Sequence, residues 1–139
     1  RIYVTAIGSG NIFGIGEIEV RGSSGGADMT NTGTRVAGTS GVRLLQLVDN
    51  KWAVENDCYE AFSAAAPYFV SADLGTYTAE QAVFAAELAI YPHVINPANK
   101  SPKDFKVQGS LDGTTWTDIK TFTGVTGWTA VTPKIFSLT

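Results

Sequence analysis

Residues 101–116 read SPKDFKVQGSLDGTTW, and this stretch decides the fold class. From Lys103 to Ser110 the residues alternate, with Phe105 and Val107 on one face and Asp104, Lys106 and Gln108 on the other. A repeat of two marks a strand with one face on a core and the other in water. Asp112-Gly113 supplies a turn that accepts positive φ, and Trp116 is expected to open the return strand as a large core anchor. The stretch predicts a β-hairpin.

The same reading extends outward. Residues 1–7 are rich in β-branched side chains and alternate, so they predict a strand. Gly8-Ser9-Gly10-Asn11 is a turn. Residues 12–21 give a second strand, with Ile18 and Val20 opposite Glu17 and Glu19. Glycine, serine and threonine dominate residues 22–41, which read as a long connector with little core of its own. Residues 42–48 are apolar again and lead to Asp49-Asn50 and Trp52. Residues 53–66 point two ways: alanine and glutamate favour helix, whereas Asn56-Asp57 and Pro67 favour an irregular loop. Residues 68–74 form a strand ending at Gly75. Residues 92–102 are a loop with three of the five prolines and the only histidine, His93. Beyond the hairpin come a strand at 117–123, a loop around Trp128 and a last strand at 134–138. Short strands, glycine-rich turns and no convincing long helix predict an all-β antiparallel sandwich, a jelly roll of about eight strands.

Composition narrows the function. At 139 residues the chain is one domain by size, and 44% hydrophobic against 17% charged residues predicts a folded protein. A formal net charge of -3 without a lysine or arginine cluster disfavours nucleic acid and anionic membranes as partners. The apolar runs are too short to span a bilayer. Cys58 is the single cysteine, which leaves no internal disulfide and no cysteine-based zinc site. His93 is alone, Cys58 has no evident base, and no metalloprotease, nucleophile-elbow or phosphate-loop motif is present, so no enzymatic activity is expected. The sequence opens in mid-strand at Arg1 without a methionine, which suggests a processed product or part of something longer.

The hairpin string Ser110-Leu111-Asp112-Gly113-Thr114-Thr115-Trp116 resembles the S-x-D-G-x-x-W hairpin of discoidin-like domains, the coagulation-factor C-type or galactose-binding-like β-sandwiches. Leu47-Val48-Asp49-Asn50 followed by Trp52 resembles the family's L-V-D-G and tryptophan, and Ala72-Asp73-Leu74-Gly75 its V-D-L-G. Phe122-Thr123-Gly124 resembles the strand end after the hairpin. These motifs stand in the family's order across residues 44–138. Arg1-Ile2-Tyr3-Val4 and Gly16-Glu17-Ile18-Glu19-Val20 resemble the family's last two strands, yet they open this chain. That order implies a circularly permuted single domain, with residues 1–21 completing the sandwich and 22–41 as connector, or a segment of a tandem array. The resemblance also implies a strand across residues 78–91, with Phe84, Ala86, Leu88 and Ile90 on one face, where an alanine-rich run and a capping box at Thr78 favour helix. Gly25-Gly26-Ala27-Asp28 after its strand resembles modules of bacteriophage tail and virion-surface proteins. With the missing disulfide, it implies a phage or bacterial source.

In sugar-binding relatives, a loop aspartate and a strand glutamate share a calcium ion, and these correspond to Asp49 and Glu17. Asn50 replaces the usual glycine, and backbone oxygens near Lys51 and Asn56 are candidate further ligands. The alternative is that Asp49 caps a turn and Glu17 is a solvated strand residue. Sugar binding needs an exposed aromatic platform with polar side chains around it, and in this family the site usually lies on loops at one end. Trp128, flanked by glycine and threonine, is the first candidate platform, or else a core plug; Tyr59 is a second. His93, Asn96 and Asn99 are candidate polar partners. Trp52 and Trp116 occupy positions that normally fill the core. The implied function is a non-catalytic carbohydrate-binding or adhesion module on a phage tail, fibre or cell surface, contacting cell-surface glycans or other virion proteins in many copies. One alternative is an assembly or decoration module that binds protein, and another a targeting module of a secreted glycan-degrading enzyme.

Overall fold

The alternation of residues 103–110 is realised in a computed structural model that describes residues 1–30, 35–62, 65–75 and 85–139. Ten strands form among them: β1 (Ile2–Ile7), β2 (Phe13–Arg21), β3 (Arg35–Gly38), β4 (Gly41–Val42), β5 (Tyr59–Ala61), β6 (Tyr68–Asp73), β7 (Glu87–Pro92), β8 (Pro102–Gly109), β9 (Thr117–Phe122) and β10 (Lys134–Ser137). They make two five-stranded sheets, sheet A in the order β3-β6-β1-β8-β9 and sheet B in the order β10-β7-β2-β5-β4. Every pairing is antiparallel. The protein is an all-β sandwich. Residues 1–21 supply the middle strand of each sheet. Two 3₁₀ turns (Leu44–Val48 and Glu55–Asp57) and one helical turn, α1 (Pro97–Lys100), complete the described elements. No helix among the described residues is long and apolar enough to cross a membrane.

The core lies between the sheets. Ile2 and Val4, Tyr68 and Val70, and Phe105 and Val107 face inward from sheet A; Phe13, Ile15, Ile18, Leu88 and Ile90 meet them from sheet B. Aromatic rings close the side where β9 and β10 end the sheets. Phe105 stacks on Phe122 at 5.0 Å and meets Phe136 edge-on at 5.2 Å.

Several sequence expectations are corrected here. The stretch 22–41 is more than a connector: it contains β3, which pairs with β6, and part of β4, and Val36 packs on the core. Trp116 precedes β9 and stays half-exposed, with the Arg1 guanidinium 4.4 Å above its ring; the return strand anchors through Phe122 instead. Residues 44–48 curl into a 3₁₀ turn that drives Leu47 and Val48 into the core. At 78–91, Leu88 and Ile90 face the core from β7, while residues 78–84 lie outside the described part.

Strand register gathers three loops at one end. The Ser9 N–H donates to the Asn99 carbonyl (3.0 Å) and the Gly8 N–H to that of Ser101 (3.3 Å), seating the β1–β2 turn on α1. The Val125 N–H donates to the Lys103 carbonyl (2.9 Å), bringing in the loop before β10.

Truncating a buried ring removes its transfer free energy and leaves a cavity. Phe105→Ala is therefore expected to cost about 3–5 kcal/mol in urea denaturation, and Trp128→Ala a loss in the same range. Trp116→Ala should cost distinctly less, because its ring already meets water.

Candidate functional site

The chemistry-bearing residues collect on the outer face of sheet B. The β2 register shifts between Ile15 and Glu17, after which Ile18 and Val20 turn inward and Glu17 and Glu19 outward. Four glutamates on this sheet are nearly or wholly buried: Glu17 at 0%, Glu19 and Glu60 at 7%, and Glu87 at 9% exposure. A buried carboxylate must be paired or protonated.

Three of the four are paired. Glu60 is bonded by the Lys100 ammonium and lies 3.2 Å from the Arg43 guanidinium. Burial alone would raise its pKa, but these cations hold it below the usual carboxylate range. Glu19 accepts from Arg21 (2.5 Å) and from the Tyr91 hydroxyl (2.9 Å). Glu87 accepts from the Ser24 hydroxyl (2.7 Å) and the Gly25 N–H (2.9 Å). Glu17 differs. Neither of its oxygens closes a hydrogen bond of ordinary geometry. Burial, then the Asp49 charge, push its pKa up to about 8, against the opposing pull of the Lys51 and Asn50 N–H groups that face it.

The 49–52 segment covers Glu17. The Asp49 carboxylate accepts from the Lys51 N–H at 3.0 Å, and Asn50 takes the left-handed conformation (φ 59°), so the chain turns tightly. Trp52 then stacks on Tyr91 with centroids 4.2 Å apart. Gly16 makes this approach possible, because a Cβ there would sit 3.0 Å from the Trp52 Cβ and 3.1 Å from the Pro92 carbonyl oxygen. Trp52 keeps part of its surface in water and, with Asn50, Lys51, Ala53 and Asp57, lines a recess of about 270 Å³. A second recess, about 140 Å³, lies between the β1–β2 turn and α1, lined by Ser9, Asn11, Ile12, Asn96, Asn99 and Lys100.

No protein-family model, curated protein or solved structure matches this chain.

The residues singled out in the sequence separate into two groups. Asn96 and Asn99 are exposed at the second recess, beside Asn11, which sequence reasoning missed. Trp128, His93 and Tyr59 are inside the protein. Trp128 is 6% exposed, packs near Phe136 and donates its indole N–H to the Pro102 carbonyl at 3.1 Å, so it offers no platform. His93 fills the space above Gly14; its Nδ1 accepts from the Ile95 N–H (3.0 Å), and burial, then Lys100, lower its pKa. Its Nε2 lies 3.2 Å from Glu60 without hydrogen-bond alignment. Tyr59 donates its hydroxyl to the Thr39 carbonyl, and burial pushes its pKa up to about 12. Trp52, expected in the core, is the tryptophan that lines a recess.

Asp49 and Glu17 lie together across the 49–52 turn, and burial excludes the solvated alternative for Glu17. An orphaned buried carboxylate beside a second one fits a hard cation in charge. The expected carbonyl ligands fit less well. The Asn56 oxygen accepts from the Gln46 side chain at 2.6 Å, and Lys51 turns its N–H toward Glu17. Among the described residues no group of three or more His, Cys, Asp or Glu side chains is placed to hold a metal.

The Glu17 shift has a definite sign. Between its ordinary value of 4.5 and about 8, the folded protein holds a proton that the unfolded chain has released, so this group's contribution falls as pH rises across that window and levels off above it. Urea denaturation of wild type and Glu17→Gln across the window should show the variant gaining stability relative to wild type as pH rises. Parallel profiles would contradict the assignment.

Proposed function

We propose that this chain is a non-catalytic carbohydrate-binding module of the discoidin-like type, displayed on a virion or cell surface, with residues 1–21 closing the sandwich in permuted order. The observation that carries the reading is the half-exposed Trp52, braced on Tyr91 and opening into a recess with Asn50, Lys51 and Asp57. A pyranose ring has an apolar C–H face and a hydroxyl rim, which match an aromatic surface ringed by amide, ammonium and carboxylate groups. The platform thus moves from Trp128 to Trp52. Burial of His93 and of Cys58, whose thiol pKa burial raises, argues for binding rather than acid–base or nucleophilic chemistry. The virion setting rests on the sequence motifs alone, and a weak single site would act through many copies.

A calcium ion belongs to the same proposal. Glu17 and Asp49 would hold it, and the ion would supply the positive charge that Glu17 lacks. A second reading, a protein-binding assembly module, is favoured by exposed apolar side chains: Leu111 at the hairpin tip is fully exposed, and Ile119 and Ile135 are exposed on β9 and β10.

A glycan array probed with the multivalently displayed domain tests the first reading. Wild type should bind, Trp52→Ala should lose the signal, and Trp116→Ala, altered on the other sheet, should keep it. A blank array from folded protein would overturn the proposal and leave the assembly module as the better account. For the ion, calcium should raise the melting temperature of wild type and leave that of Glu17→Gln unchanged. Equal shifts in both would remove these residues as ligands.

A further inference from the structure

We infer that the Trp52 recess and the asparagine-lined recess are the two ends of one elongated site for a neutral oligosaccharide, an inference that rests on the carbohydrate-binding reading above. Both recesses flank the same stretch of β2. Gly14 and Gly16 lack the side chains that would fill the outer face, and their positions, two residues and about 7 Å apart along the strand, are taken by His93 and Trp52. Each covering residue leads into one recess: Trp52 lines the first itself, and the chain after His93 runs through Ile95 to Asn96 and the second.

Cys58 holds one segment and His93 the other. The Cys58 thiol donates to the Val54 carbonyl at 3.5 Å and lies 3.6 Å from where a Cβ at Gly16 would sit, while the Ile95 N–H donates to His93 Nδ1 at 3.0 Å above Gly14. Val54 is thus tied beside the cover of Gly16 and Ile95 beside the cover of Gly14, and both stay uncovered, at 54% and 43% exposure. The surface runs from an aromatic ring, past two aliphatic side chains, to a cluster of amides.

That sequence of chemistries selects the ligand. The indole, valine and isoleucine offer apolar area to successive C–H faces, while each asparagine amide presents both donors and an acceptor to hydroxyl groups. Each recess holds one lysine with a carboxylate nearby. Lys100 is engaged by Glu60, and Lys51 shares its recess with Asp57. A sulfated or uronic acid-rich chain would meet a single lysine in each recess with a carboxylate beside it, so a neutral chain fits best.

Titration calorimetry of wild type, Trp52→Ala and an Asn96→Ala/Asn99→Ala double variant tests this with neutral gluco- and galacto-oligosaccharides of roughly one to six units and a sulfated series of equal lengths. Wild-type affinity should rise with length and then level off. The double variant should lose about tenfold for the longest neutral ligands and nothing for the shortest, whereas Trp52→Ala should lose both. Circular dichroism melts confirm that the variants fold. Length-independent binding, equal losses for short and long ligands, or preference for the sulfated series would overturn the elongated neutral site while leaving a carbohydrate module standing. Absence of binding at every length and charge would instead bring down the carbohydrate reading and this inference with it.

Discussion

The structure depends on the burial of β2 along both of its faces. Its inner face meets sheet A through Phe13, Ile15 and Ile18; its outer face carries Glu17 and Glu19 beneath covering loops. Carboxylates on this face, with Glu87 of β7 and Glu60 of β5 beside those of β2, must find partners, and the partners come from separate parts of the chain. Arg21 closes the end of β2 itself, Ser24 and Gly25 come from the following loop, Arg43 precedes a 3₁₀ turn, and Lys100 sits in α1. Buried ion pairs add little net stability, since desolvation offsets most of the attraction, but breaking one is costly. Their effect here is positional, fastening loops of unrelated sequence onto one sheet. Glu17 is the exception, a carboxylate covered by a loop that gives it no cation.

The strands were largely legible in the sequence, for a physical reason. A half-buried strand must alternate, and residues 1–7, 12–21 and 103–110 do so. β3 escaped notice because it is only four residues long and sits among glycines and threonines, so its place depends on β6 and little on its own pattern. Pattern alone leaves Trp128 open between platform and core plug and puts Trp52 and Trp116 in the core, because exposure depends on which backbone approaches each ring. Gly127, at φ 69°, lets the chain turn Trp128 beneath its loop, whereas Gly16 admits Trp52 to the outside of a sheet. Alternation placed Glu17 in solvent; only its covering by residues 49–52 takes it out. The Asn96 and Asn99 tips were readable as polar loop positions, but Asn11, far away in sequence, joins them only through the seating of the β1–β2 turn on α1.

The two recesses share a structural device. Asn50 in the first and Asn96 in the second both hold left-handed backbone conformations, at φ 59° and 57°. Asparagine tolerates that region better than other side chains except glycine. It fixes a tight turn and leaves an amide at the rim. Walls set by local backbone geometry lose little freedom when a ligand arrives, which lowers the entropic cost of weak recognition.

The three tryptophans occupy three different surroundings: one stacked on Tyr91 beside a recess, one under the Arg1 guanidinium on the opposite sheet, and one sealed near Phe136. The protein thus carries a built-in set of optical reporters. Emission from Trp128 belongs at the blue end and tracks the integrity of the sandwich, whereas Trp52 and Trp116 emit further to the red, each answering to its own sheet face. Replacing Trp52 or Trp116 one at a time, with the sealed Trp128 left in place, would let an observer separate the two surfaces with no dye attached.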